Sequence, residues 1–259
     1  MFLVSKTPTK EKKMKKLLAF VLVVACMLSV CACSTVDPNK KSEGVMTYEQ
    51  YMAAELEADV VVEAFVQAKQ GWWNNQATIY LQDGKGGYLA YNASCTEALY
   101  NKLEVGTKVK LTGTKTDYKG EVELKAGATI EIVEGDTWVA PVTDITSVYG
   151  TENLVDYQNQ KISIKGAKVV AKTDADGNEL AFFYNWDNSG IEGTDADLYF
   201  DVKIGDKTYT LVIEYYLTNE NSDAYKAVQA LKVGDTIDVE GFLYWYEGAQ
   251  PHVTKITVK

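Results

Sequence analysis

Leu103-Glu-Val-Gly106-Thr-Lys-Val-Lys-Leu-Thr-Gly113 aligns without a gap on Leu231-Lys-Val-Gly234-Asp-Thr-Ile-Asp-Val-Glu-Gly241. The same offset carries Tyr118-Lys-Gly120 onto Tyr246-Glu-Gly248. Each copy reads as a helix end, a tight turn on glycine, and a strand that alternates. In the first copy Val109 and Leu111 point inward, and Lys108 and Lys110 outward. The second glycine of each copy suits a strand bent at a barrel corner. A long stretch repeated at one fixed offset means one structural unit used twice.

Working outward, residues 60–66 are rich in β-branched side chains and run into a polar, Gly-containing loop, 67–76. Residues 77–81 and 87–91 flank Gln82-Asp83-Gly84-Lys85-Gly86, a hairpin turn with glycine available for positive φ. Residues 96–103 form the helical interval, with Thr96 as its N-cap, and 121–133 supply the last strand pair. The order strand, strand, strand, helix, strand, strand is that of the OB-fold, a five-stranded Greek-key barrel. In the second copy residues 162–170 supply the first strand. Residues 197–202 and 208–216 read as an extra hairpin around Gly205-Asp206-Lys207. The fold class is therefore all-β with short helices: two tandem five-stranded OB-fold barrels, 47–134 and 160–259, joined by a linker, 135–159. Thr47-Tyr-Glu-Gln50 has capping-box spacing for a helix running to about residue 57, and the linker has room for a similar lead-in helix.

Tyr80-Leu-Gln-Asp-Gly-Lys-Gly-Gly-Tyr-Leu-Ala-Tyr91, followed by Leu-x-Val-Gly-x-x-Val-x-Leu-x-Gly and Tyr-x-Gly, resembles bacterial extracytoplasmic OB-fold modules. Such modules occur in surface lipoproteins and beside the catalytic domains of secreted nucleases. The resemblance covers 47–134 well and 160–259 more loosely. It implies fold rather than ligand. The nuclease domain has no counterpart here, so the resemblance implies no catalysis.

The N-terminal stretch agrees with an extracytoplasmic address. Met14, the more natural start, is followed by Lys15 and Lys16, an apolar run over 17–30, and Val30-Cys31-Ala32-Cys33-Ser34. The run is short for a membrane span and has the proportions of a secretory signal. Ala32 favours Cys33 over Cys31 as the lipidated residue. Residues 1–33 thus read as a lipoprotein signal ending at Cys33, with anchoring to the bacterial cell membrane through its lipid. Residues 34–46 read as a flexible tether. Cys95 is then left without a partner and reads as a buried structural thiol.

All 26 basic residues are lysine, and His252 is the single histidine. This composition excludes His–His metal sites and arginine-clamped phosphate chemistry. The formal net charge is −10; residues 1–32 hold six lysines and one glutamate, so without them it is −15. The chain is repelled from polyanions in general. The sequence lacks the nucleophile-elbow and phosphate-loop motifs, and His252, after Pro251, reads as a barrel-edge or surface residue. No catalytic residue, metal or cofactor is assigned. Asp174-x-Asp176-Gly177 reads as a hairpin turn in preference to half of a calcium loop.

OB-folds bind on the face of the second and third strands, edged by neighbouring loops. In the first barrel that face and its loops hold Trp72, Trp73, Asn74, Tyr80, Tyr88, Tyr91 and Tyr118, a set of rings and an amide suited to stacking on a sugar or base. The expected ligand is a glycan or a protein partner. The main alternative is single-stranded nucleic acid, which requires Lys108, Lys110 and Lys119 to line the same groove as the rings. A third reading is a scaffold in which the Trp pair seals the two barrels together and nothing small binds.

Overall fold

The computed structural model describes residues 36–259; the expected signal, with Cys31 and Cys33, lies outside the described residues. Residues 36–46, expected to be a loose tether, are docked along the first barrel. Two buried carboxylates, Glu63 and Asp83, draw them there, because a buried charge needs a partner. Lys41 Nζ meets Asp83 at 2.6 Å, Lys108 Nζ meets Glu63 at 2.9 Å, and the Ser42 amide donates to Glu63 at 3.1 Å.

Thr47 and Gln50 form the reciprocal capping box of a helix over Tyr48–Ala53. The helix ends earlier than expected. Lys115 closes it, donating to the carbonyls of Tyr51, Met52 and Ala54 at 3.0, 2.8 and 2.7 Å. Lys115 is thus a buried cap.

The first barrel comprises β1 (Asp59–Lys69), β2 (Gln76–Gln82), β3 (Gly87–Ser94), β4 (Lys108–Tyr118), β5 (Glu121–Leu124) and β6 (Thr129–Ile132). β1 pairs antiparallel with β2 and β4, and β2 pairs with β3. β4 pairs with β5 and β6, and these meet β3 in parallel at Ala90–Leu124 and Ser94–Thr129, closing the ring. β5 and β6 are one fifth strand with a break. A short helix, Glu97–Tyr100, capped by Thr96, sits between the third and fourth strands.

The second barrel repeats the plan. After β7 (Thr143–Asp144) and a 3-10 turn over Glu152–Tyr157 come β8 (Lys161–Val170), β9 (Lys172–Thr173), β10 (Glu179–Leu180), β11 (Phe183–Tyr184), β12 (Leu198–Ile204) and β13 (Lys207–Ile213). A helix over Asp223–Gln229, capped by Ser222, precedes β14 (Thr236–Phe242) and β15 (His252–Val258). β12 pairs with β8 and β13, and β14 with β8 and β15, while Val212 meets His252 in parallel. The pair read as an extra hairpin is therefore the ring's own second and third strands. Leu198, Phe200 and Val202 of β12 fill the core, which an appended hairpin would not require. The true addition is 171–197, which holds the β9–β10 hairpin and β11. Its Asp174 side chain accepts from the amides of Asp176 and Asn178, as a hairpin turn does.

The repeated glycines explain themselves. Gly106 and Gly234, at φ 92° and 98°, make the same left-handed turn into the fourth strand of each barrel. Gly241 lies so close to β15 that a Cβ would stand 2.2 Å from the His252 carbonyl.

Each barrel has its own apolar core, and a third cluster of Tyr80, Leu89 and Phe242 lies on the seam between them. Burying each such side chain stabilises by roughly 1.5–3 kcal/mol. Polar groups fix the register across the seam. Gln158 donates to the Gly120 carbonyl at 2.7 Å and accepts from the Val122 amide at 3.2 Å. Asn159 donates to the Val122 carbonyl at 3.1 Å, and Gln82 accepts from the Lys161 amide at 2.8 Å. Glu121, fully buried, accepts from the Trp245 amide at 2.8 Å.

Candidate functional site

Along this seam the two barrels enclose a cleft of about 1230 Å³. Tyr80, Leu89, Val212 and His252 make its floor. Trp72, Trp73, Tyr91, Asn92 and Tyr118 line it from the first barrel; Trp186, Tyr199, Tyr216, Tyr244 and Tyr246 line it from the second. Among the described residues, the aromatic side chains that are exposed are Trp73, Tyr91, Tyr118, Trp186, Tyr216 and Tyr246, and all six line this cleft. Exposed rings scattered over a surface need no explanation; six gathered in one concavity make that concavity the candidate site.

Local backbone places each ring. Asn74 and Asn75, both in left-handed conformations, turn the loop between β1 and β2 so that Trp73 projects outward, 60% exposed. Trp72 is held from behind, its indole N–H donating to the Cys95 carbonyl at 2.7 Å. The Gly71 amide donates to the Tyr216 carbonyl at 2.9 Å, tying this loop to the opposite wall. Tyr118 and Tyr246, equivalent in the two repeats, face each other with ring centroids 6.0 Å apart. Trp186, 72% exposed, is carried by the addition to the second barrel, between left-handed Asn185 and Asn188.

Of the rings expected at the site, Trp72, Trp73, Tyr80, Tyr91 and Tyr118 are brought together. Two expected residues are not in the cleft. Asn74 serves the turn rather than the lining. Tyr88 points into the first barrel, fully buried, donating to Asp83 at 2.8 Å and packing on Tyr48 and Tyr51. It and Tyr91 are three positions apart on one strand, so they face opposite sides. His252 is no edge residue either: it lies 7% exposed on the cleft floor. The second wall, Trp186 to Tyr246, exists only because the barrels pack together, and its trace in the sequence is the ring-rich stretch 242–246, in which Tyr246 is equivalent to Tyr118.

The electrostatics are acidic and subdued. Glu123, Asp197 and Glu214 line the cleft, and no lysine does. Burial pushes the carboxyls of Glu123 and Glu214 up to about 7, and that of Asp197 above the usual range, because their charged forms lose hydration. Near neutral pH Glu123 and Glu214 both donate and accept hydrogen bonds. None of the three lysines required by the nucleic-acid reading lines the cleft, and each is paired with a carboxylate. Lys108 pairs with Glu63, Lys110 with Glu131 at 2.7 Å, and Lys119, at the cleft rim, with Glu247 at 2.6 Å. Among the described residues no cluster of His, Cys, Asp and Glu is arranged to hold a metal ion.

No protein-family model and no curated protein matches the chain. Among solved structures, the Ifi202 HINa domain in complex with 20-bp double-stranded DNA is similar in outline, at 11% identity and a TM-score of 0.35, over 78% of this chain and 98% of that one. A murine DNA-binding protein bound with double-stranded DNA shares 10% identity at a TM-score of 0.34, over 78% and 97%. A replication protein A heterotrimer bound to single-stranded DNA shares 10% at 0.30, over 80% and 51%. Likeness at this level carries no argument about a ligand.

Proposed function

We propose that the chain is a non-enzymatic binding protein whose inter-barrel cleft takes an uncharged, chain-like polyhydroxylated ligand, an oligosaccharide in chemical class. The single observation that carries this is the gathering of every exposed aromatic ring among the described residues in a cleft without a lysine. Flat rings offer platforms for the apolar faces of sugar rings. Asn92, Gln250 and the three carboxyls offer hydrogen-bond partners for hydroxyls. Small-molecule pockets run to roughly 300–1,000 Å³, and a cleft somewhat larger and open at its rim suits several linked units.

Single-stranded nucleic acid is the second reading, favoured by the same array of rings, on which bases stack. On that reading the phosphates turn outward, since the lining provides no cation for them. The N-terminal Ala32-Cys33 stretch supports lipid anchoring at Cys33, with the cleft outside the cytoplasm. Labelled fatty acid incorporation that is lost in Cys33→Ala tests the anchor.

Affinity electrophoresis through gels cast with neutral polysaccharides tests the cleft. Retardation of the protein in at least one polysaccharide, abolished by Trp73→Ala with Trp186→Ala, supports the reading. Equal mobility in all of them overturns it.

A further inference from the structure

His252 is the single histidine of the chain, and its ring is pinned on three sides. It stacks on Tyr244, with centroids 4.2 Å apart and planes 22° from parallel. The Tyr80 ring stands edge-on at 6.2 Å. The Tyr80 hydroxyl, from the other barrel, shares a 2.7 Å hydrogen bond with His252 Nδ1. The other ring nitrogen, Nε2, has no hydrogen-bond partner among the described residues, nor is it among their sealed, unpartnered polar atoms. The side chain lines the cleft.

The protonation pattern follows from satisfying both groups. The imidazole is neutral, since burial pushes it down to about 3. A neutral imidazole has one donor and one acceptor nitrogen. The Gln70 side chain is the other hydrogen-bonding partner of the Tyr80 hydroxyl, and as a donor to its oxygen it leaves the O–H to point at Nδ1. With Tyr80 donating to Nδ1, both groups are satisfied and the proton sits on Nε2, which then faces the cleft as a donor.

We propose that His252 Nε2–H is a ligand-reading donor on the cleft floor, giving a hydrogen bond to a hydroxyl or ring oxygen of the bound sugar, with Tyr80 as the positioning residue that sets its tautomer. The inference rests on the oligosaccharide reading of the same cleft. It gives the floor a specificity that stacking alone lacks, because a fixed donor selects for an acceptor at one height above the rings.

A lone histidine makes the test direct, because the nitrogen spectrum holds a single imidazole. Long-range proton–nitrogen correlation on the purified protein should show Nδ1 unprotonated and Nε2 protonated. Tyr80→Phe, which keeps the ring, should abolish that preference. The probe is a set of neutral hexasaccharides (malto-, cello- and chitohexaose), with tryptophan fluorescence reporting binding. The Nε2 signal should shift on saturation, and His252→Phe should bind about tenfold more weakly, as expected for one lost hydrogen bond; His252→Gln, which keeps a donor, should recover part of the loss. A proton on Nδ1 overturns the proposal. So does an unmoved imidazole when fluorescence reports binding, which leaves the cleft reading standing. Absence of any fluorescence response to every hexasaccharide overturns both.

Discussion

Lys119 and Glu247, equivalent positions of the two repeats, bind each other. Lys119 Nζ lies 2.6 Å from the Glu247 carboxylate, and the Glu247 amide donates to the Lys119 carbonyl at 2.7 Å. Both residues adopt left-handed backbone, at φ 59° and 55°. The same turn, used once in each barrel, thus meets its counterpart at the cleft rim and brings Tyr118 against Tyr246.

Unequal costs at this contact follow. The Lys119–Glu247 pair is about half exposed on both sides, and such pairs contribute about 0–1 kcal/mol. Lys119→Ala should therefore leave the urea midpoint nearly unchanged. Gly120 has φ 91°, and a Cβ there would stand 2.7 Å from the Trp245 ring. Gly120→Ala should destabilise by about 1–3 kcal/mol through strain and overpacking. Equal midpoints for the two variants would show that the turns do not meet as described.

Trp73 and Trp186 are the most exposed rings of the cleft, and the Trp73–Gln76 bridge is made by backbone alone, which alanine keeps. Replacing both with alanine should leave thermal unfolding within about 1 kcal/mol of the parent, as for ordinary surface positions. Aromatic contacts contribute about 0.5–1.5 kcal/mol each beyond area burial, so ligand binding should weaken by about tenfold or more. Calorimetric unfolding beside a binding titration checks the separation.

Glu123 provides a pH signature. Its carboxyl ionises near 4.3 when unfolded and at about 7 when folded, with burial the leading cause. Between those values the folded chain holds the extra proton, so this group's contribution to stability is fully present below about 4.3 and is lost as pH rises through 7. Glu123→Gln removes the ionisation. The variant should gain on the parent as pH rises from 4.5 to 8, by about 3 kcal/mol. The opposite titration of His252, whose folded value is depressed, is common to both proteins and cancels in the difference. Paired urea titrations at pH 4.5 and 8 measure it; a pH-independent difference would mean that Glu123 is well hydrated.

Cys95 lies 2% exposed, with burial raising its thiol. A thiol reagent should therefore modify the native protein slowly, at a rate that follows unfolding as urea is added. Rapid labelling in buffer would place the sulfur at the surface.

Much of the fold was legible because its signals are local. Gly106 and Gly234 mark a turn that needs left-handed backbone, and the alternation that follows marks a strand with one buried face. The pair over 197–216 reads as an appended hairpin because a ring's closure is a long-range property: β12 shows its place only by pairing with β8. The cleft was half legible. Tyr91 and Tyr118 are rings on polar strand faces, whereas Tyr88 differs from Tyr91 only in parity along the strand. Trp186, Tyr199, Tyr216 and Tyr244 come to the site through the docking of one barrel on the other, for which single-chain periodicity carries no signal. His252 reads as an edge residue for the same reason, since part of what covers it is Tyr80 of the other barrel.

The central claim is that a lysine-free aromatic cleft binds an uncharged chain. Its most direct test is tryptophan fluorescence during titration with the neutral hexasaccharides and, separately, a mixed-sequence single-stranded oligonucleotide, at low and physiological salt. The expected result is a saturable response to at least one sugar, with an affinity unchanged by salt. Saturable quenching by the oligonucleotide that weakens steeply with salt, with no response to any sugar, would contradict the claim and establish phosphate contacts and base stacking in its place.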